Sequence, residues 1–548
     1  MQKSCTHCSA HFTLDTVDED FFGRIDMPLP SDCPNCRRQR RLMFRNFFNL
    51  YHRTCDLSGK KIISMFDTDV PFPVYEMHEW WSDKWDGLAY GKNPDFEKPF
   101  FDQVAVLHRT VPRMSIANAQ CENTDYCNMA NESRNCYLVF GNVGNEDCAY
   151  GHIVWKSKDL FDCLYCYKCQ LCYECIDCVE CYGLTFSRDC DNCSSSSFLV
   201  HCVGCSDCFG CVGLQHKTHH IFNQPYSKEE YAAKIAELRF DAHETIAWAK
   251  SQVAVLVGKE IVKVYHGFNS ENVTGDYLYH CKNIVDGYDL KNCEDCRHCA
   301  TLDGYKDCHD SNFSAKIGEL CFNCLTSYGH TVLCCQGCMS PSSNIAYCDS
   351  CFNCKDCFGC VGLKSKQYCI LNKQYAKEEY QALREKLIEH MRNTSEWGHF
   401  FPHALSPFAY NETIAFQYFP LTREEVLARG WRWKDTESTA EQYLGPVVAV
   451  PSSIHDVSDD ITKQILLCEV TKKPFKIIPQ ELAFYKRMNI PVPRKCFDQR
   501  HRERMALRNP RRLWQRQCAK CSKEIQTTYS PERPETVYCE QCYLETVY

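Results

Sequence analysis

The sequence predicts a mainly β chain: two tandem β-solenoids lined by cysteine ladders, closed by helical caps and flanked by zinc-ribbon or treble-clef modules. Three observations carry that expectation. Cysteines recur at every third position, the cysteine array occurs twice, and paired Cys-x-x-Cys motifs stand at both ends of the 548 residues.

"CLYCYKCQLCYECIDCVEC", Cys163 to Cys181, holds seven cysteines three residues apart. An α-helix cannot keep this on one face, because a step of three falls ~60° short of a turn. A 3₁₀ helix rarely persists beyond a few residues, and a plain strand alternates in twos. Polyproline II repeats in threes, but this stretch has no proline. All seventeen cysteines from Cys121 to Cys211 share one phase. The other fifteen positions of that phase, up to Leu214, are Thr, Ala, Ser, Val, Asn, Gly or Leu, while the two remaining phases carry eighteen charges. One phase therefore points inward.

A polygonal solenoid with three-residue sides accounts for this, each side sending one side chain to the axis. The segment divides into twelve-residue strings such as "YKCQLCYECIDC" and "VECYGLTFSRDC", although fifteen or eighteen residues per coil would also keep the phase. Twelve residues enclose a perimeter of about 40 Å, and stacked rungs lie ~4.8 Å apart. Only small side chains fit such a bore, and cysteine is small, apolar and commonly buried. Core packing is the favoured role for the thiols. A multinuclear thiolate cluster is the next reading, against which Val139, Leu160, Leu184 and Leu199 interrupt the phase. Disulfides across the bore would need an oxidising compartment, and the ferredoxin cysteine run is absent.

A second array runs from Cys281 to Cys360. The two arrays end in "DCFGCVGLQHKTHHIFNQPYSKEEY" and "DCFGCVGLKSKQYCILNKQYAKEEY", at a constant offset of 149 residues. Each ending reads as strand, turn and helix, and Ser227 with Glu230 forms a capping-box signature. The second array slips phase between Cys308 and Cys348, where bulges or longer corners are expected. The aromatic stretches around 78–91 and 396–433 read as plates buried against a domain face rather than as base-stacking surfaces. The resulting division is an N-terminal zinc module (1–62), an aromatic linker or cap (63–118), solenoid 1 (119–214), cap and helix (215–270), solenoid 2 (271–363), a helical and aromatic cap region (364–464) and a C-terminal zinc module (465–548).

The ends carry the strongest chemical signal. Cys5, Cys8, Cys33 and Cys36 form one pair of two-residue gaps, and Cys518, Cys521, Cys539 and Cys542 form another. Such pairs bring four thiolates around one Zn²⁺ in a closed structural site. The ends are also copies at an offset of 463: Pro28, Cys33, Arg37, Arg41, Arg45, Asn46 and Cys55 meet Pro491, Cys496, Arg500, Arg504, Arg508, Asn509 and Cys518. Each copy keeps a different half of an ancestral two-site module. The leftover Cys55, with Ser58, Glu76 and Glu79 in the lost positions, is expected to carry no metal. The same is expected of Cys468 and Cys496, with Thr471 and Gln499.

The net charge of −8 argues against a wholesale nucleic-acid coat, yet residues 494–523 hold eleven Lys or Arg against two acids, and 37–61 hold eight against one. Arg37, Arg41, Arg45, Arg500, Arg504, Arg508 and Arg512 are therefore phosphate-contact candidates, for RNA, DNA or the ribosome. The alternative is pairing with protein, including the acidic solenoid faces of the same chain. "MQKSCTHCSAHF" has no apolar signal region and "VAVLV" at 253–257 is too short to span a bilayer, which points to the cytoplasm and no membrane.

"CPNCRRQRRLMFRN", "WWSDKWDGLAYG", "CFGCVGL", "SPFAYNETIAFQYFPLTREE" and "TTYSPERPETVYCEQCY" together resemble a family of uncharacterised cysteine-rich proteins of ultrasmall candidate-phylum bacteria. The likeness spans nearly the whole chain, and the ends resemble treble-clef or zinc-ribbon domains. The resemblance implies zinc and a cytoplasmic bacterial setting, and no mechanism.

The sequence has no Gly-rich phosphate loop, nucleophile elbow or metalloprotease helix. Glu76, His78, Glu79, His216, His219 and His220 are better read as surface groups than as acid–base machinery. The expectation is a non-enzymatic zinc-binding architectural or interaction protein whose basic modules dock to a partner. The alternative is thiol-based storage or buffering of zinc or copper by the solenoids.

Overall fold

The computed structural model describes residues 1–314, 317–435 and 445–547, so 436–444 of the second cap region lie outside the described residues. Strand outweighs helix, 31% to 25%, and the longest ladders are two parallel solenoids. In the first, Lys158–Phe161, Gln170–Tyr173, Tyr182–Thr185, Ser194–Ser197, Ser206–Phe209 and Thr218–Ile221 stack in order. Lys158 faces Gln170, Gln170 faces Tyr182, and Ser194 faces Ser206, a step of twelve residues at each rung. The coil is thus the shortest of the lengths that the cysteine phase allowed.

The corners explain the period. The residue just before each inward position is left-handed, as at Asp159 (φ 56°), Asp162 (56°), Tyr165 (54°) and Lys168 (51°). Four such residues per coil make a quadrilateral with three-residue sides. A left-handed L-residue costs about 1–2 kcal/mol, least for Asn and Asp and nothing for Gly. Six of the seven glycines and six of the eight aspartates between residues 121 and 214 stand at corners. Corner backbone is not left unpaired: Asp177 N–H donates to Leu164 O at 2.9 Å, and the preceding Ile176 N–H donates to Ser187 O at 3.0 Å.

At several rungs the inward residue's own amide points along the bore and meets a sulfur or oxygen of the side chain one coil below. Cys205 N–H donates to Cys193 Sγ at 3.4 Å and Val139 N–H to Cys127 Sγ at 3.4 Å, while Cys169 N–H donates to Ser157 Oγ at 3.1 Å. The thiols donate in turn, Cys163 Sγ lying 3.4 Å from Phe161 O and 3.6 Å from Cys172 O. These amides belong to buried residues, and a buried orphan N–H is costly. Cysteine therefore does more than fill space: it is a small apolar side chain that also relays a weak hydrogen bond to the next coil. Serine and asparagine interrupt the phase without penalty for the same reason. From Cys127 to Cys211 every cysteine of the array is buried, and all 44 cysteines are free thiols.

The second solenoid opens on eleven-residue rungs, Glu271 facing Lys282. It passes through a bulge between Val273 and Gly275 into twelve-residue ones, Lys282 facing Glu294, a step it resumes at its far end with Lys355 facing Gln367. Its middle runs in rungs of thirteen, eleven and thirteen residues, from Lys306 to Glu319, His330 and Ser343. This is the phase slip of the sequence, absorbed as one longer coil, one shorter and one longer again. A short antiparallel strand and a helix cap each array: Gln224–Pro225 with Lys228–Ala236, and Lys373–Gln374 with Lys377–Asn393. The first helix has the expected capping box, Ser227 and Glu230 exchanging bonds of 2.9 and 3.2 Å. The second has Ala376 there and no side-chain cap.

The aromatic stretches are plates against the second solenoid. Trp80 packs on Phe352 (ring centroids 5.4 Å) and Phe100 on Phe358 (5.4 Å), while Phe401 and Tyr410 are buried in the same core. Among the described residues, no helix is long and apolar enough to cross a membrane.

The terminal modules, here called heads, sit in the seam between the arrays. Each begins with a hairpin (Gln2–Ser4 with His11–Thr13; Leu466–Leu467 with Pro474–Phe475), continues through a helix, and then presents a basic helix, Pro34–Leu42 or Phe497–Ala506. A second hairpin follows, Tyr51–Thr54 with Lys61–Ser64 or Trp514–Gln517 with Glu524–Thr527. The heads cross over. The N-terminal basic helix pairs with the second solenoid, and the C-terminal one with the first.

Candidate metal centres and the arginine locks

In the N-terminal head the first hairpin presents Cys5 and Cys8, Cys33 caps the basic helix, and Cys36 lies in its first turn. All four sulfurs lie within 4.8 Å of one another, with Cys8 and Cys33 at 3.7 Å. In the C-terminal head the second hairpin presents Cys518 and Cys521, and Cys539 and Cys542 stand at the start of Glu540–Val547; Cys521 and Cys539 are 3.8 Å apart. A tetrahedron of sulfurs ~2.3 Å from a central Zn²⁺ has edges of about 3.8 Å. Backbone amides support ionised ligands: Cys33 N–H points at Cys5 Sγ (3.2 Å) and Cys539 N–H at Cys518 Sγ (3.3 Å). Hydrogen bonding from Cys36 lowers the Cys33 thiol to about 5. Burial opposes ionisation of Cys518, but the amides of Cys521 and Cys539 outweigh it and bring the thiol to about 6. Each head could hold one metal ion in a closed, four-sulfur site.

The relics of the lost halves are wired into protein instead. Cys55 Sγ accepts from the amides of Ser58 (3.4 Å) and Glu76 (3.2 Å), and Glu76 caps the short helix that carries His78 and Glu79. Cys468 Sγ accepts from Thr471 N–H, and the Thr471 hydroxyl lies 3.6 Å from Cys496 Sγ. His216 is exposed, and His219 and His220 are half-buried near the end of the first solenoid.

The arginines require a correction. Six of the seven phosphate-contact candidates are buried, and their partners are in the chain itself. Arg37 meets Asp310 at 2.7 Å, and Arg41 meets the other oxygen of Asp310 at 3.1 Å as well as Asn312 and Asn323. In the other head Arg500 meets Asp162 at 2.6 Å and Arg504 meets its second oxygen at 2.8 Å. Asp162 and Asp310 are fully buried. Two guanidiniums hold the Asp310 carboxyl far below the ordinary carboxylate range against the opposing effect of burial. Arg508 reaches Asp177 of the first solenoid at 2.7 Å and Asp289 of the second, its guanidinium lying between the rings of Tyr165 (3.9 Å) and Tyr277 (4.1 Å). Arg45 ends on the Thr326 hydroxyl (2.6 Å) and the Phe47 ring (4.3 Å). Only Arg512 is exposed, over Trp514. The physical reason is electrostatic. Asp162, Asp177, Asp289 and Asp310 each stand at a left-handed corner of a coil, and an arginine fork beside each compensates the charge that burial would otherwise leave alone.

Sequence reasoning missed a third cluster: Asp189, His201 and His266 also offer ligand atoms within 4.8 Å of one another. Its one legible signal is that Asp189 and His201 are twelve apart, on adjacent coils. A scan against models of protein families gives no match, and neither does a search of curated proteins.

Proposed function

We propose that this chain is a non-enzymatic architectural protein, in which two structural Zn²⁺ ions each stiffen a head and the heads fasten two thiol-lined solenoids into one rigid body. The observation that carries it is the pair of buried locks, Arg37 and Arg41 on Asp310 and Arg500 and Arg504 on Asp162. The basic helices dock, and what they dock to is the chain itself. The bore thiols favour this reading over metal storage, because they accept amide hydrogens and donate to carbonyls along the stack. Metal analysis of the full chain, purified under reducing conditions and washed with chelator, tests it. Two zinc ions per chain are expected, falling to one in Cys36→Ser and one in Cys542→Ser. Many equivalents of zinc or copper per chain would overturn it in favour of storage. So would nucleic-acid binding that is lost in Arg37→Ala or Arg500→Ala protein of unchanged fold.

A further inference from the structure

The third cluster lies at a three-way junction. Asp189 and His201 stand at corners of consecutive coils of the first solenoid, so the stacking places one above the other. His266 follows the linker strand Ile261–Lys263, which pairs with Thr536–Tyr538 of the C-terminal head. The cluster opens on a cavity of about 520 Å³ between these elements.

Each imidazole is anchored through Nδ1 by its own carboxylate. His201 Nδ1 lies 2.8 Å from Glu260, and His266 Nδ1 lies 2.9 Å from Asp276, which is itself buried and receives the Thr528 hydroxyl. The His266 ring is further fixed by stacking on Tyr277 at 4.6 Å. These anchors leave Nε2 of each ring as the remaining donor atom. His201 Nε2 lies 3.3 Å from Asp189, and His266 Nε2 has the Tyr529 hydroxyl 3.0 Å away. One ligand atom from each ring and an Asp189 oxygen lie within 4.8 Å of one another. Carboxylates behind Nδ1, orienting imidazoles that meet a further carboxylate, are the outer and inner shells expected of a transition-metal site.

We infer that Asp189, His201 and His266 bind one divalent transition-metal ion, with Glu260 and Asp276 orienting the two imidazoles. Three protein ligands leave a coordination position toward the cavity for water or another oxygen ligand. This site differs in kind from the heads: it has nitrogen and oxygen donors, it is open, and its ligands come from two adjacent coils of the first solenoid and from the linker. It is independent of the architectural reading.

The test is titration with Co²⁺ of chelator-washed full-length protein whose cysteine sites retain zinc. One further equivalent is expected, with a weak visible spectrum of nitrogen and oxygen ligation and no sulfur-to-cobalt charge-transfer band. Asp189→Asn and His266→Gln each abolish that equivalent, and Glu260→Gln weakens Co²⁺ binding about tenfold. Retention of two zinc ions in each variant shows that the heads are folded, and His201→Gln replaces any variant that loses them. No saturable uptake overturns the inference, as does uptake unchanged by these substitutions or accompanied by the sulfur band. A zinc count other than two, with Co²⁺ still bound through these residues, would instead overturn the architectural reading and leave this one standing.

Discussion

The two heads are copies that grip different solenoids with the same pair of arginines, yet they do not grip equally. On both sides two guanidiniums share the two oxygens of one buried aspartate. Eight residues after the first of them the copies part. Arg508 spans both solenoids through two carboxylates and two tyrosine rings. Its counterpart Arg45 meets no carboxylate, and burial alone pulls its guanidinium down to about 9. Another position also differs: Arg38 pairs with Asp286, whereas the corresponding His501 is packed against Phe48 and His152. The shared part sets the docking. The divergent part gives the C-terminal head an ionic bridge between the arrays, where the N-terminal head joins them by packing, Phe47 lying against His152 and Phe313.

The comparison predicts its own largest effects at the shared lock. Asp310→Ala takes the shared carboxylate from Arg37 and Arg41, and Asp162→Ala takes it from Arg504 and leaves Arg500 with the Glu481 carboxylate at 3.5 Å. Each should cost about 3–5 kcal/mol, read as a lowered urea midpoint. A mild effect in one alone would break the equivalence of the heads. Arg508→Met should cost about 3 kcal/mol, because it leaves Asp177 without its cation and Asp289 to Arg511, whereas Arg45→Met should cost less than about 1 kcal/mol.

Acid separates the heads further. Burial, reinforced by Arg504 and Arg502, lowers His501 to about 3. Its neutral form is the one that folds, so its contribution is complete above the ordinary histidine value near 6.5 and is lost as pH falls from there toward 3. By pH 4 the loss is about 3 kcal/mol, and His501→Phe should flatten that part of the midpoint-versus-pH curve. A curve unchanged by His501→Phe would show that the C-terminal head owes no acid sensitivity to this ring.

A further comparison tests the bore. Cys193 accepts the Cys205 amide at 3.4 Å and donates to Cys202 O at 3.3 Å. Cys193→Ser keeps the relay, while Cys193→Val leaves a buried amide unpaired. The valine variant should therefore be less stable than the serine variant by about 1–3 kcal/mol, although valine is the more apolar. The reverse order in thermal unfolding would reduce the thiols to packing.

The solenoids were legible because inwardness repeats with a fixed phase, and thiols are too unusual to hide it. The coil length was legible only as one of several choices. What selects twelve is the left-handed corner, and its mark was in the sequence as the concentration of Gly, Asp and Asn before the inward residue. The zinc-type motifs were readable because their ligands are local. The partners of the arginines were not: Arg37 lies 273 residues from Asp310 and Arg500 lies 338 from Asp162. Charge density alone does not distinguish a guanidinium aimed at phosphate from one aimed at a folded neighbour. The same distance hid His266 from Asp189, whose only local clue was the twelve-residue step to His201.

A stack of equal coils has no natural length, since inserting twelve residues adds a storey without disturbing any other. Here the fastenings remove that freedom. One extra coil between Asp162 and Asp177 would lift the latter by ~4.8 Å, beyond the reach of an arginine already committed to Asp289 on the facing stack. The heads thus act as callipers, and neither array can grow or shrink unless the other changes with it.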